Sequence, residues 1–117
     1  MAIKFDELPP QVQNQLRQLQ ILQQQLEALM QQKLQIDIMI KDTENALEEL
    51  SKIEENFAVY KNVGNLIIRA DKDKLIKELQ DSKETLAIRK KNIESQENKL
   101  KEKMEELQNK LQEILKT

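Results

Sequence analysis

Proline occurs in this chain only at positions 9 and 10, and glycine only at position 64. Proline fits the first turn of a helix and disrupts it further in. A helix can therefore start near Pro10 and meet no breaker until the approach to Gly64. Beyond Gly64 the chain runs to residue 117 without another breaker. Asp71 is suited to N-cap a second helix, with Asp73 in its first turn favourable to the helix dipole. The chain is thus free to form two long helices, over 10–54 and 72–116, split once in the middle.

The apolar residues support this. In the first segment Val12, Gln15, Leu19, Leu22, Leu26, Leu29, Lys33, Ile36, Ile40, Thr43, Leu47 and Leu50 follow alternating spacings of three and four, and nine of the twelve are apolar. That is a sustained coiled-coil seam. A second, weaker stripe contains Leu16, Met30, Leu34 and Ile38. In the second segment Leu79, Leu86, Ile93, Leu100, Leu107 and Ile114 recur every seven residues. Their expected companions three residues on, Ser82, Arg89, Gln96, Lys103 and Lys110, are polar. Met104 and Leu111 lie on a different flank, so the apolar stripe is expected to shift around the helix near its end. Each segment has 45 positions and spans about 65–70 Å as a helix. Equal arms with a short connector are expected to fold back antiparallel, placing Glu54 near Lys72 and Pro10 near Lys116. The fold class expected is mostly α, a single domain built on a long antiparallel two-helix coiled coil with one central β-hairpin.

The hairpin is expected at 57–70. Residues 57–61 and 65–70 are rich in β-branched and aromatic residues, and Asn62, Val63 and Gly64 form a turn signal. An isolated hairpin is marginal in water and leaves both strand edges unpaired. Either it folds onto the root of its own coiled coil, or hairpins from several chains pair into a shared sheet or barrel. The second is favoured, which makes the hairpin a hub from which the helices project.

Composition narrows the function classes. The net charge is −2 and the sequence pI near 5.3, so no positive excess favours nucleic acid or anionic lipid. Aromatics make up 3% of the chain, little for a compact globular core. With no histidine the commonest general base and metal ligand is missing, and with no cysteine a nucleophile would have to be a Ser, Thr or Lys activated by another group. One glycine cannot make a phosphate-binding loop. No catalytic residue, cofactor or metal is expected. MAIKFDELPP lacks the apolar run of a signal peptide, and no segment has the ~18 apolar residues of a membrane span. A cytoplasmic protein is expected, with no membrane or nucleic-acid partner.

Two long helices around VYKNVGNLII, the first opened by PPQVQNQL, resemble the beta-type subunits of the prefoldin family over nearly the whole chain. The most specific part is Val59-Tyr60-Lys61, then Gly64 and an apolar strand. The single hairpin also matters, because alpha-type subunits of that family carry two. The resemblance implies an ATP-independent chaperone. In it, two alpha and four beta subunits join through their hairpins in an intersubunit β-barrel. Phe57, Val59, Tyr60, Val63, Gly64, Leu66, Ile67 and Ile68 would carry that assembly here. It also implies that the distal tips of the coiled coils hold non-native proteins and pass them to a group II chaperonin.

The tip expected from the antiparallel pairing carries Ile3, Phe5, Leu8, Val12, Leu16 and Leu19 from one helix and Met104, Leu107, Leu111, Ile114 and Leu115 from the other. Val12, Leu19, Leu107 and Ile114 are expected to close the seam. Ile3, Phe5, Leu8, Leu16, Leu111 and Leu115 are in excess of what two helix ends can bury, and exposed apolar patches mark interaction sites. Ile3, Phe5, Leu8, Val12, Leu16, Leu19, Leu107, Leu111, Ile114 and Leu115 are therefore the candidates for client contact; packing within the tip is the other reading. Lys110, Glu113 and Lys116 are candidates for chaperonin docking, which a solvated helix face explains equally well. Eleven glutamines against three charges over residues 11–35 make a low-charge surface. It fits either a plain polar face or contact with varied polypeptide. A coiled-coil spacer or adaptor without clients is the alternative function.

Overall fold

The structure, a computed structural model, describes residues 4–116. A 3-10 turn at Phe5–Glu7 precedes helix α1, Pro10–Lys52. Strands β1, Val59–Val63, and β2, Leu66–Ala70, follow, and helix α2 spans Lys72–Lys116. Pro10 is the first residue of α1, where its missing N–H costs nothing, and the Pro9 carbonyl accepts the Gln13 N–H at 3.0 Å. The Asp71 side chain accepts the Asp73 N–H at 3.2 Å, which caps α2 as the sequence indicates.

Helix α1 ends two residues earlier than expected. The Ile53 N–H reaches back only three residues, to the Leu50 carbonyl at 3.3 Å, which tightens the last turn. The Phe57 N–H then bonds the Glu54 carbonyl, turning the chain toward β1. Lys72 Nζ donates to the Ile53 carbonyl at 2.6 Å, so the start of α2 satisfies an acceptor left over at the end of α1.

The described chain falls into two compact units. One holds the residues up to Lys33 together with those from Asn92 on; the other holds Leu34–Lys91. In the first, Gln18, Ile21 and Leu22 share a groove with Glu106, Leu107 and Lys110. Further along, Ala28 and Leu29 share one with Gln96, Lys99 and Leu100. Numbers rise on α1 as they fall on α2, so the helices run antiparallel. In the second unit Asp37 pairs with Lys90 and Ile53 with Lys72, again antiparallel.

All twelve expected seam positions of α1 are buried or half-buried. Val12, Ile93 and Leu111 form the buried core of the first unit, and Ile36, Leu50, Val59 and Leu86 that of the second. Of the weaker stripe, Leu16 is half-buried, while Met30, Leu34 and Ile38 are exposed.

The companion seam of α2 differs from the expectation. Ser82, Arg89, Gln96, Lys103 and Lys110 are all exposed. The track that faces inward lies four residues after the leucine series: Lys83, Lys90, Glu97, Met104 and Leu111, begun by Ile76. All but Lys83 are buried or half-buried. Met104 and Leu111 therefore continue an existing seam, and the stripe does not rotate. Polar residues fit the middle of this track because they meet partners. Lys33 Nζ lies 2.9 Å from Glu97 Oε1, with side-chain exposures of 33% and 4%. Lys90 Nζ lies 2.6 Å from Asp37 Oδ1.

Strands β1 and β2 pair antiparallel, with Val59 opposite Ala70 and Val63 opposite Leu66. The loop is the two residues Gly64 and Asn65, not Asn62–Gly64 as the sequence suggested. Asn62 and Val63 are ladder residues, and Phe57 and Ala58 precede the strand. The reason lies in φ. Gly64 sits at +59°, and no other described residue has positive φ. Positive φ at the first loop position alone is the pattern of a type II′ turn, whose twist suits a hairpin.

Two outcomes are expected in chemical unfolding. Lys33→Met strands the Glu97 carboxylate and should cost about 2–4 kcal/mol, whereas the double change to Lys33→Met with Glu97→Leu should recover most of it. A double variant no more stable than the single one would remove the pair from the account. Nothing lies within 4 Å of a Cβ added at Gly64, so Gly64→Ala should cost only the backbone term, about 1–2 kcal/mol.

Candidate functional site

Two regions gather the residues singled out from the sequence. The first is the hairpin, in the unit Leu34–Lys91. Residues directly opposite across the ladder share a face. One face carries Val59, Lys61, Val63, Leu66, Ile68 and Ala70; the other carries Tyr60, Asn62, Ile67 and Arg69. On the first face only the root is covered. Val59 is buried, Lys61 and Ala70 are half-buried, and Lys61 Nζ reaches Glu78 of α2 at 3.6 Å. Val63, Leu66 and Ile68 on that face are exposed, and so are Tyr60 and Ile67 on the other, Ile67 at 76%. Phe57, ahead of β1, is exposed as well. The sheet has two strands, so among the described residues both outer edges are unpaired.

The hairpin thus does not lie flat on its own helices. It presents apolar side chains on both faces and free backbone donors and acceptors along both edges. A surface of this kind is a template for further strands. A cavity of about 600 Å³ at its root, lined by Phe57, Arg69, Asp71 and Lys72 among others, is open and mostly polar in lining.

The second region is the end of the first unit, where α1 begins and α2 finishes. Ile3 lies outside the described residues. Val12 is 2% exposed and Leu111 6%, so both are seam residues. This corrects the expectation that Leu111 is in excess of what the end can bury: the inward track of α2 runs through Glu97, Met104 and Leu111, so Leu111 packs in the seam. Leu8, Leu16, Leu19, Leu107 and Ile114 are half-buried. Phe5 and Leu115 are exposed, Leu115 at 61%. Lys110, Glu113 and Lys116 are exposed on α2. The end is therefore more nearly closed than the sequence indicated.

One reason is an interaction that the sequence did not reveal. The Gln13 side-chain amide donates to the Leu8 carbonyl at 2.9 Å and the Phe5 carbonyl at 3.1 Å, with the Asp6 carbonyl at 3.5 Å. The Arg17 guanidinium sits over the Phe5 ring, 5.4 Å from its centroid, and contacts Asn14 Oδ1 at 3.5 Å. Residues 4–8 are thereby turned back along the first turns of α1. No local motif marks Gln13 among the eleven glutamines of that stretch.

Among the described residues no group of three or more His, Cys, Asp or Glu could hold a metal ion. No helix among them is long and apolar enough to cross a membrane.

This arrangement has close relatives. A family model described as "Prefoldin subunit" matches residues 13–117. Prefoldin subunit beta of Archaeoglobus fulgidus is 51% identical over 109 residues, covering 93% of this chain and 94% of that protein. Prefoldin subunit beta of Methanosarcina acetivorans is 46% identical and covers 93% of each. The crystal structure of the prefoldin beta subunit from Thermococcus strain KS-1 superposes with a TM-score of 0.86 at 41% identity, covering 93% of this chain and 96% of that one. The two long helices, the single hairpin and this likeness over nearly the full length agree, and the chain belongs to the prefoldin subunit family, a family of chaperone subunits.

Proposed function

We propose that this chain is one subunit of an ATP-independent chaperone that captures non-native proteins at its coiled-coil tips and delivers them to a group II chaperonin. It acts as a single domain and in the cytoplasm. Its hairpin joins those of other subunits in an intersubunit β-barrel, four copies of this chain with two of an alpha-type partner. No cofactor is needed, because capture and release rest on reversible apolar contact.

The observation that carries the assembly is the hairpin itself. Its exposed Tyr60, Val63, Leu66, Ile67 and Ile68, with two unpaired edges, make a surface that pairing with further strands would cover. Membership of a family of subunits supports the same reading. For capture, the support is the apolar content at the end of the first unit, with Phe5 and Leu115 exposed and Leu8, Leu16 and Ile114 half-covered. One such patch binds weakly. Several held on one platform act by avidity, because the second contact becomes intramolecular. Lys110, Glu113 and Lys116 are the candidates for the chaperonin contact, a role that predicts salt-sensitive docking.

The burial of Val12 and Leu111 favours a second reading, in which the end is sealed and the chain is a spacer or adaptor. The two readings separate experimentally. Native mass spectrometry of the chain mixed with an alpha-type prefoldin subunit should give one species with four copies of this chain and two of the partner. Ile67→Lys should abolish that species while leaving helix content unchanged. A chain that stays monomeric or dimeric and ignores the partner defeats the proposal and leaves the spacer.

Within the assembly, Leu115→Ser should weaken suppression of client aggregation without changing thermal stability. Leu111→Ser should instead destabilise the chain by about 3 kcal/mol or more, because it opens the seam. Full suppression by Leu115→Ser would count against capture at this surface.

A further inference from the structure

The end of the first unit combines the apolar surface assigned to capture with a closure in which, among the described residues, Gln13 and Arg17 make the polar and ring contacts. Residues 4–8 lie back along α1 although the stretch from Phe5 to Pro10 is long enough to leave the helix altogether. Among the described residues, two side chains, Gln13 and Arg17, make the polar and ring contacts that hold them there. The Gln13 amide has two hydrogens and three carbonyls in reach, so it closes the segment on its backbone. Arg17, one helical turn further along the same face, holds the Phe5 ring from the outside. The segment's own hydrogen bonds, from the Glu7 N–H to the Lys4 carbonyl and from the Leu8 N–H to the Phe5 carbonyl, shape the turn and do not attach it to the helix.

The segment's placement bears on Leu16. On a helix, Leu16 falls between the seam position Val12 and the flank that carries Gln13 and Arg17. It is half-buried, while the stripe residues Met30, Leu34 and Ile38 are exposed. The contacts of Gln13 and Arg17 place residues 4–8, with Phe5 and Leu8 among them, on the flank next to Leu16.

We propose that Gln13 is a latch. It holds residues 4–8 closed along α1, and its release uncovers Leu16 and frees Phe5 and Leu8 for an apolar segment of non-native polypeptide. The proposal rests on the capture reading above and adds its regulation: the closed end is the resting form, and a client competes with the chain's own N-terminal segment. Binding is then reduced by the fraction of ends that are closed, a reduction that weakening the latch removes.

Two measurements on the assembled complex test this. Hydrogen exchange at the Glu7 and Leu8 amides reads the latch without any client, because Gln13 holds the same Phe5 carbonyl that accepts the Leu8 N–H and so steadies the turn. Gln13→Ala should raise it about fivefold or more, the loss of roughly one to two weak hydrogen bonds. Affinity for a fluorescently labelled, reduced and permanently unfolded protein reads capture, and Gln13→Ala should tighten it about threefold or more. Arg17→Ala, which releases the Phe5 ring and leaves the amide in place, should move both readouts the same way by less. Unchanged exchange overturns the latch. Raised exchange with unchanged or weaker client binding overturns the competition, and residues 4–8 are then only a cap. If the unmodified assembly binds no client while exchange still responds to Gln13→Ala, the capture reading has failed and carries the proposal down with it.

Discussion

Glu97 is the only polar or charged residue that is buried among the described residues, and its ion pair with Lys33 fixes how the helices of the first unit align. A buried carboxylate without a partner costs several kcal/mol. A slip of one heptad would set Glu97 against Leu26 or Ile40. It would also set Lys33 against Met104 or against Lys90, a like charge. Leucines at the seam interchange easily under such slips, because apolar contact is not directional. The ion pair does not interchange. Its contribution is therefore to alignment more than to stability, as for the single polar residue that sets register in a coiled coil. In the second unit the Asp37–Lys90 pair restricts alignment in the same manner, though both partners are more exposed and the constraint is softer.

Alignment in turn allows the hairpin. The strands can meet only if the chain leaves α1 and enters α2 at matching heights, and Lys72 bonded to the Ile53 carbonyl marks that match. Gly64 then closes the ladder in two residues. The root is anchored by buried Val59 and by Lys61 on Glu78, while the outer part has no apolar cover among the described residues. An isolated hairpin with this many exposed apolar residues would be marginal. Its order within the chain and its fitness for pairing with other hairpins come from the same arrangement: a fixed root and an uncovered, regular surface beyond it.

Much of this could be read from the sequence because the apolar spacing of α1 is nearly unbroken. Its twelve seam positions are marked by nine apolar residues, and the three exceptions could be placed by interpolation. The seam of α2 was legible only in half. Its leucine series is unambiguous, but three of the companions, Lys83, Lys90 and Glu97, are charged. Hydropathy cannot distinguish a charged seam residue with a partner on the other helix from a charged surface residue. The information that decides it, Lys33 opposite Glu97 and Asp37 opposite Lys90, is tertiary. The loop falls at Gly64 and Asn65 and not at 62–64 for a related reason. Asn62 and Val63 have acceptable turn and strand character alike, and only the φ of Gly64 within a two-residue loop selects between them. Gln13 was invisible because glutamine in a glutamine-rich helix has no local signature.

The polar groups along the first unit also bear on what separating its helices would cost. Near the start of α1 the seam contains Gln15, whose Oε1 is buried and has no donor among the described residues. An unsatisfied buried acceptor costs about 1–3 kcal/mol. Separation of the helices at this end returns that oxygen to water and recovers the cost. The recovery offsets much of what exposing a neighbouring leucine or valine side chain would cost. At Lys33 and Glu97 the balance is reversed, since separation there breaks a formed pair. Separation near Gln15 therefore recovers part of its own cost, and separation at Lys33 and Glu97 does not. The order of Gln15, then Lys33, along the seam thus sets a difference in what separation of the two helices costs at each point.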